Sequence, residues 1–374
     1  MKRLLLLAAT LVLAVPASAA RLPIVADRDW WPVFSPNGGR VAFTRVNGQG
    51  RSLSLYTVNL ATRRVTKVGT SVSRLSPTWS PDSKRIAFAS GGSLYVAYAD
   101  GSGKHRYTAP APALAPAWRP GSVDLAYLTA YDSTSTDLWV GGTLWARDAI
   151  AQPSWSPDGT TVAFARANGI YVATGPSTEQ RVAQTLAEPG APVFSPDGTR
   201  IAYVDGNQLY VVAADGSTPP VAETAPLSGL GPVSWSRDST RLVTTDRKGV
   251  VIVPLGQALR RIASKGGVGA AYSPSVEALA YSGPIAGCIG HYGIDYATPS
   301  VTEAISGTCS IGGTSGPDTI EGTPEPGDVI VARGGNDRIH VDDGHTDTVF
   351  CGPGRDTVWA DRKDRLRGCE VVHR

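Results

Sequence analysis

The 374-residue chain carries a net charge of +3 and is 42% hydrophobic, with 42 glycines and 28 prolines. It contains no basic block, which excludes the electrostatic footprint of a nucleic-acid binder. Its apolar content argues against disorder, and its many turn residues favour a series of short strands.

Lys2 and Arg3 precede the apolar run Leu4 to Val15, and Ala17-Ser18-Ala19 follows as a small-x-small site. This pattern predicts a signal peptide over residues 1–20; an uncleaved anchor is the alternative. No later apolar run approaches the roughly 18 residues of a membrane span, so no transmembrane segment is expected. The mature chain is expected to be secreted or extracytoplasmic, and a monomer. Its four cysteines, Cys288, Cys309, Cys351 and Cys369, lie in the last quarter. An even count in an exported chain predicts two disulfides.

A repeat dominates residues 21–310. Its copies are FSPNGGRVAF from Phe34, WSPDSKRIAF from Trp79, WRPGSVDLAY from Trp118, WSPDGTTVAF from Trp155, FSPDGTRIAY from Phe194, WSRDSTRLVT from Trp235 and YSPSVEALAY from Tyr272. The leading aromatics are 45, 39, 37, 39, 41 and 37 residues apart, around the period of a four-stranded propeller blade. In each copy the aromatic ends a strand, Pro-Asp-Gly or a relative turns the chain, and a β-rich run begins the next strand. Third strands follow, such as SLYVAYADG (Ser93 to Gly101) and QLYVVAADG (Gln208 to Gly216), and weaker fourth strands such as RRVTKVG (Arg63 to Gly69).

These copies resemble the TolB-like propeller, a WD-like repeat family. The resemblance implies an all-β fold, with a seven-bladed β-propeller over 21–310 and six blades plus a partial blade as the competing count. The α/β domain that precedes the propeller in the family's best-known member has no counterpart here. The seventh copy is degraded; HYGIDYAT (His291 to Thr298) and SVTEAISG (Ser300 to Gly307) supply its third and fourth strands. A hairpin centred between Thr298 and Pro299 sets Cys288 opposite Cys309, within disulfide reach. The segment Arg21 to Asp27 is a candidate to close the ring.

Residues 311–374 switch to Gly and Asp at short period. The unit Asp-x-Ile/Val/Leu recurs at Asp318, Asp328, Asp337, Asp347, Asp356 and Asp364. It resembles the nonapeptide of RTX-type calcium-binding β-rolls, which implies a small parallel roll in which carboxylates and carbonyls face Ca²⁺. Two half-turns make a layer, so alternate aspartates share a side. Asp318, Asp337 and Asp356, with Gly316, Gly335 and Gly354, form the glycine-rich column and the expected Ca²⁺ site; a metal-free cap is the alternative. Cys351 and Cys369 are one layer apart and are expected to pair.

No catalytic constellation stands out. There is no G-x-S-x-G elbow, and no room for a hydrolase domain. Oligogalacturonate lyases, which some TolB-like propellers resemble, use several histidines and a metal; this propeller has His105 and His291, on different blades. His340, His345 and His373 in the roll are a weaker metal lead. The turn aspartates Asp82, Asp158, Asp197 and Asp238 are expected to cap their own backbone rather than form a site. Trp30 and Trp31 fit the repeat poorly and are candidates for the channel or an edge. The expectation is a non-enzymatic scaffold binding a protein or glycan of the cell envelope at a propeller mouth, with a polysaccharide lyase or hydrolase in the channel as the alternative.

Overall fold

The computed structural model describes residues 28–374 except 47–52, 63, 74–76, 111, 131–135, 265–268, 276–278, 285–291, 298–310, 313–316, 318, 322–328, 343 and 345. The expected signal peptide, the segment Arg21 to Asp27 and the expected Cys288–Cys309 pair lie outside these residues. The described chain is all β. Its first sheet runs β1 (Arg28–Phe34), β2 (Arg40–Val46), β3 (Leu53–Asn59) and β4 (Val65–Thr70), each pairing antiparallel with the next. The same meander recurs five times. The second sheet is β5 (Thr78–Trp79), β6 (Arg85–Ser90), β7 (Ser93–Tyr98) and β8 (His105–Arg106); the third is β9 (Ala113–Trp118), β10 (Leu125–Ala130), β11 (Thr136–Val140) and β12 (Thr143–Ala146). The fourth is β13 (Ser154–Trp155), β14 (Val162–Arg166), β15 (Gly169–Ala173) and β16 (Gln180–Gln184); the fifth is β17 (Val193–Phe194), β18 (Arg200–Asp205), β19 (Gln208–Ala213) and β20 (Val221–Ala222). The sixth is β21 (Ser234–Trp235), β22 (Arg241–Asp246), β23 (Gly249–Pro254) and β24 (Arg260–Ser264).

A seventh sheet has three described strands, β25 (Gly269–Tyr272), β26 (Leu279–Pro284) and β27 (Tyr292–Ala297). It sits between the sixth sheet and the first. Ala270, Tyr272 and Leu279 pack with Val243, Val250 and Ile252, while Ala271 and Ala280 pack with Phe34, Val41 and Phe43. The described fold is therefore a propeller of six complete blades plus a partial one. Among the described residues this matches the competing count. The degraded seventh copy lacks the Asp-Gly turn, and its expected fourth strand falls outside the described residues.

The turns repeat with their side chains. Ser80 Oγ donates to Asp82 Oδ1 at 2.5 Å and accepts the Arg85 N–H at 2.9 Å, while Asp82 Oδ1 accepts the Lys84 N–H at 3.1 Å. Ser156 with Asp158, Ser195 with Asp197 and Ser236 with Asp238 do the same, and Asn37 replaces the aspartate in the first blade. The aspartates thus cap their own turns, as expected. The Ser236 hydroxyl, with the Thr240 side chain and N–H and Arg241 alongside, holds the Asp238 carboxyl down at about 2 despite the opposing effect of burial. Asp82, first through Ser80, and Asp158, first through Ser156, are lowered in the same sense.

Neighbouring blades are joined by two contacts that alternate around the ring. The indole N–H groups of Trp79, Trp155 and Trp235 donate to the carbonyls of Val33, Ala117 and Val193 at 3.0, 3.3 and 2.9 Å. Between these joints, Thr78, Ser154 and Ser234 hydroxyls accept the backbone N–H of Trp118, Phe194 and Tyr272 at 3.4, 3.1 and 3.1 Å. Trp118 occupies an alternate blade, and its buried indole N–H has no acceptor.

The C-terminal region pairs in parallel. One sheet is β28 (Ile311–Gly312), β30 (Val329–Val331), β32 (Thr348–Phe350) and β34 (Arg365–Arg367); the other is β29 (Thr319–Glu321), β31 (Arg338–Val341), β33 (Thr357–Ala360) and β35 (Val371–His373). Ile320, Ile330, Ile339, Val349 and Val358 fill the space between the sheets. Cys351 and Cys369 form the expected disulfide, with Cα atoms 5.3 Å apart.

Two outcomes follow from these joints. Trp235→Phe breaks a made hydrogen bond and strands a carbonyl, whereas Trp118→Phe removes a donor that has no acceptor. Thermal unfolding of the two variants should therefore differ by about 1–2 kcal/mol, with Trp235→Phe the less stable. A depressed carboxyl pKa contributes stability that is present above the unfolded value and lost as pH falls through the folded one. Melting temperature should accordingly drop between about pH 4 and about pH 2, and Asp238→Asn, which keeps the turn as Asn37 does, should flatten part of that drop.

Candidate functional site

The first strands of the blades stand around a cavity of about 900 Å³ on the propeller axis. Its wall contains Trp31, Val33, Thr78, Gln152, Ser154 and Leu230, together with prolines such as Pro77, Pro153 and Pro192. Prolines suit this position, because an inner strand edge facing the axis has no further strand to receive its N–H groups. Among the described residues that line the cavity, none is Asp, Glu, Lys, Arg or His. A second opening of about 390 Å³ shares Val33, Thr78, Val193, Ser234 and Ala271 with the first and reaches the turns at Pro36, Pro196, Arg237 and Pro274. The axial space therefore runs from one face towards the other. The polar side chains of the larger cavity are hydroxyls and the Gln152 amide, whose Nε2 donates to the Pro116 carbonyl at 2.8 Å, and Arg237 at the second opening donates to the Ser275 carbonyl at 3.2 Å.

Charge is held outside this cavity. Arg261 grips the buried Asp246 through both carboxylate oxygens, at 2.5 and 2.8 Å. Burial opposes ionisation of Asp246, but the Arg261 contact outweighs it and lowers the pKa. Asp205 accepts the Leu186 and Ala187 N–H groups at 2.9 and 2.8 Å. His105 is exposed on β8, and its Nδ1 lies 2.9 Å from the Gly103 carbonyl.

In the roll, Asp337, Asp347, Asp356 and Asp364 are all buried. Asp318 and Gly316 lie outside the described residues, so the expected Ca²⁺ column is represented by Asp337, Asp356, Gly335 and Gly354. Asp356 Oδ1 accepts the Asp337 N–H of the layer before it at 2.8 Å, and Glu370 does the same for Asp356 at 2.8 Å. In the other column Asp364 accepts the Asp347 N–H at 2.9 Å through Oδ1 and the Asp361 N–H at 2.6 Å through Oδ2. Both Asp364 oxygens are satisfied, whereas Asp356 Oδ2 is buried with no partner; buried Oδ2 atoms of the same kind occur at Asp337 in this column and at Asp347 in the other. Next to Asp356, a methyl added at Gly354 would meet the Gly335 carbonyl at 1.7 Å, so the successive glycine turns touch through their backbones. A buried anionic oxygen beside carbonyls is the donor type that Ca²⁺ takes. No group of three His, Cys, Asp or Glu positioned for a metal occurs among the described residues.

The histidine lead resolves differently. Trp359 lies between His340 and His373 in register, with ring centroids 4.1 and 5.1 Å apart. The imidazoles stack on the indole and do not converge on a common ion. Sequence reasoning had left Trp31 as a poor fit to the repeat and had not placed the alternating hydroxyls at all. Their signal was present in the residue before each aromatic, which runs Val33, Thr78, Ala117, Ser154, Val193, Ser234 and Ala271.

No family model matches the chain, and no curated protein sequence matches it. Solved structures do. The β-propeller domain of Swd1 from Myceliophteria thermophila superposes with a TM-score of 0.55 at 13% identity, covering 74% of this chain and 99% of that one. An oligogalacturonate lyase in complex with manganese superposes with a TM-score of 0.56 at 14% identity, covering 73% and 89%. At such identities the likeness is one of fold. It nevertheless corrects the expectation that this chain catalyses nothing. That expectation leaned on a missing elbow and scarce histidines, but this propeller architecture is shared with an enzyme, and general bases include Lys, Tyr, Asp and Glu.

Proposed function

We propose that this is an exported TolB-like propeller that binds a protein or glycan of the cell envelope in its axial channel, followed by an RTX-like roll that takes Ca²⁺. The channel carries the reading. Its volume falls in the range of ligand sites, and its wall is mostly apolar with a few hydroxyls to orient a ligand, the usual make-up of such sites. The six full blades fix that wall rigidly, which spares a ligand the cost of ordering it. Ca²⁺ would sit in the glycine-rich column against Asp356, with carbonyls of the adjoining turns as further oxygen donors; the close approach of its glycine turns supports this column over the other. Bound there, the ion would neutralise a buried carboxylate. The signal-peptide pattern supports export.

A second reading, a polysaccharide lyase or hydrolase working in the same channel, is favoured by the likeness to oligogalacturonate lyase. With no charged residue among the described wall residues, its acid and base would come from the rim or from the ligand.

Ala191 is exposed at the channel wall, so Ala191→Trp should obstruct it. The full mature chain, immobilised and offered envelope fractions before and after protease or periodate treatment, should retain a component that Ala191→Trp does not. Equal retention by both proteins would remove the channel from consideration. The enzyme reading predicts that retained polysaccharide is shortened, detected as new reducing ends or as the ultraviolet absorbance of an unsaturated product. Millimolar Ca²⁺ should raise the melting temperature of the full chain, by about 2.7 kcal/mol of added stability at a hundredfold excess over Kd. Asp356→Asn should abolish that response, whereas Asp364→Asn should lower stability and leave the response in place.

A further inference from the structure

Trp31 is a large side chain in the channel wall at a position that smaller residues fill in other blades. Its φ is +52°, in the left-handed region that a bulky residue rarely adopts. It lies in a β-bulge of β1 between Trp30 and Val33. The third sheet has the same bulge between Leu114 and Ala117, and Ala115 occupies it with φ also +52°. The bulge is thus a feature of the fold that an alanine satisfies. At the equivalent place, two residues before the blade joint, other blades carry Gln152, Ala191, Pro232 and Gly269. Trp31 packs on the cluster between the first and second sheets, and a methyl added at Gly269 would lie 3.3 Å from its Cδ1. A half-buried indole is held in a strained backbone on the wall of the main cavity. Strain of this kind concentrates where function requires it.

We propose that Trp31 is the stacking platform of a subsite that takes one unit of a neutral saccharide chain in the axial channel. This deepens the channel reading and rests on it. The cavity at Trp31 has no charged residue among those described, and Arg237 stands at the second opening, so an ionised group seated beside Trp31 would lose its hydration for little return. Thr78, Ser154 and Ser234 each accept a backbone N–H from the next blade, which leaves each hydroxyl proton to donate. Alternating hydroxyl donors around an apolar wall suit a ligand rich in hydroxyl oxygens, and an indole suits the C–H face of a pyranose ring. The aromatic supplies area and the hydroxyls supply orientation.

The test is calorimetric titration of the full mature chain with neutral hexasaccharides of glucose, mannose and N-acetylglucosamine, with oligogalacturonate of equal length and a decaproline peptide as rivals. At least one neutral hexasaccharide should bind more tightly than either rival. Trp31→Phe should hold that affinity within about threefold, while Trp31→Gly, which accepts the backbone angle without strain, should weaken it by about tenfold or more. Melting curves of both variants establish that they fold. The platform is overturned if no neutral saccharide binds, if oligogalacturonate or decaproline is preferred, or if Trp31→Gly binds like the parent. Binding lost in Ala191→Trp but unchanged in Trp31→Gly would sink the platform and leave the channel reading standing. Binding indifferent to both would sink the two together.

Discussion

One joint between inner strands sets the geometry of everything else. The residue before each of the first six leading aromatics contacts the next blade, either through its carbonyl or through its hydroxyl. A four-stranded sheet of this size cannot bury both faces alone. Stacking blade on blade buries them, and these inner hydrogen bonds fix the angle at which the stacking occurs. The arginine contacts reinforce the same seam: Arg85, Arg119 and Arg200 lie over the rings of Trp118, Trp155 and Trp235 at 5.2, 5.0 and 5.4 Å. Each bridges from one blade to the aromatic of its neighbour. The seam therefore uses one face of each of these tryptophans for packing.

The channel inherits its chemistry from that seam. Residues that must place a carbonyl or a hydroxyl against the next blade are small or β-branched, and prolines precede most of them, so the wall becomes uncharged without separate selection for neutrality. Ionisable groups are pushed to strand ends, where Asp246 and Asp205 find Arg261 and backbone N–H groups. A wall built this way can hold a neutral ligand with little desolvation cost. Among the described residues of that wall none is ionisable, so acid–base chemistry there would draw on groups at its rim.

Much of the fold was legible because the turn chemistry is local. Ser-Pro-Asp-Gly specifies its own hydrogen bonds within six residues, so period and strand order could be read from the copies alone, and the third strand at Tyr292–Ala297 fell where HYGIDYAT placed it. The blade count was less legible, because the last copy loses the turn residues that announce a unit. The alternation of Val33, Thr78, Ala117 and Ser154 was visible in the text of the sequence but carried no meaning until the partner, some forty residues away, was known. Trp31 was noticed only as a misfit, since nothing local reveals that its backbone angle is strained. In the roll the aspartate columns were legible. Their detailed role was not, because whether a carboxylate faces a cation or an N–H depends on the register of the next layer.

Propeller and roll answer the same problem, unpaired strand edges, in different ways. A ring places each blade against another, so its seam can be uniform and its outer edges short. A stack of layers has an end, and this one is finished by exchanging residue types at the last repeat. Glu370 takes over from aspartate as acceptor for the Asp356 N–H, reaching across a layer that has lost its full length. The Cys351–Cys369 bond ties that layer to the one before it. Arg365 and Arg367 then occupy the final strand of one sheet, where their charge opposes pairing with another chain. An acceptor ladder of this kind can stand without metal wherever both oxygens of a carboxylate are used, as in Asp364. Asp356 departs from that rule by one oxygen, as Asp347 does in the other column, and what sets the Asp356 column apart is the glycines that let its turns approach closely.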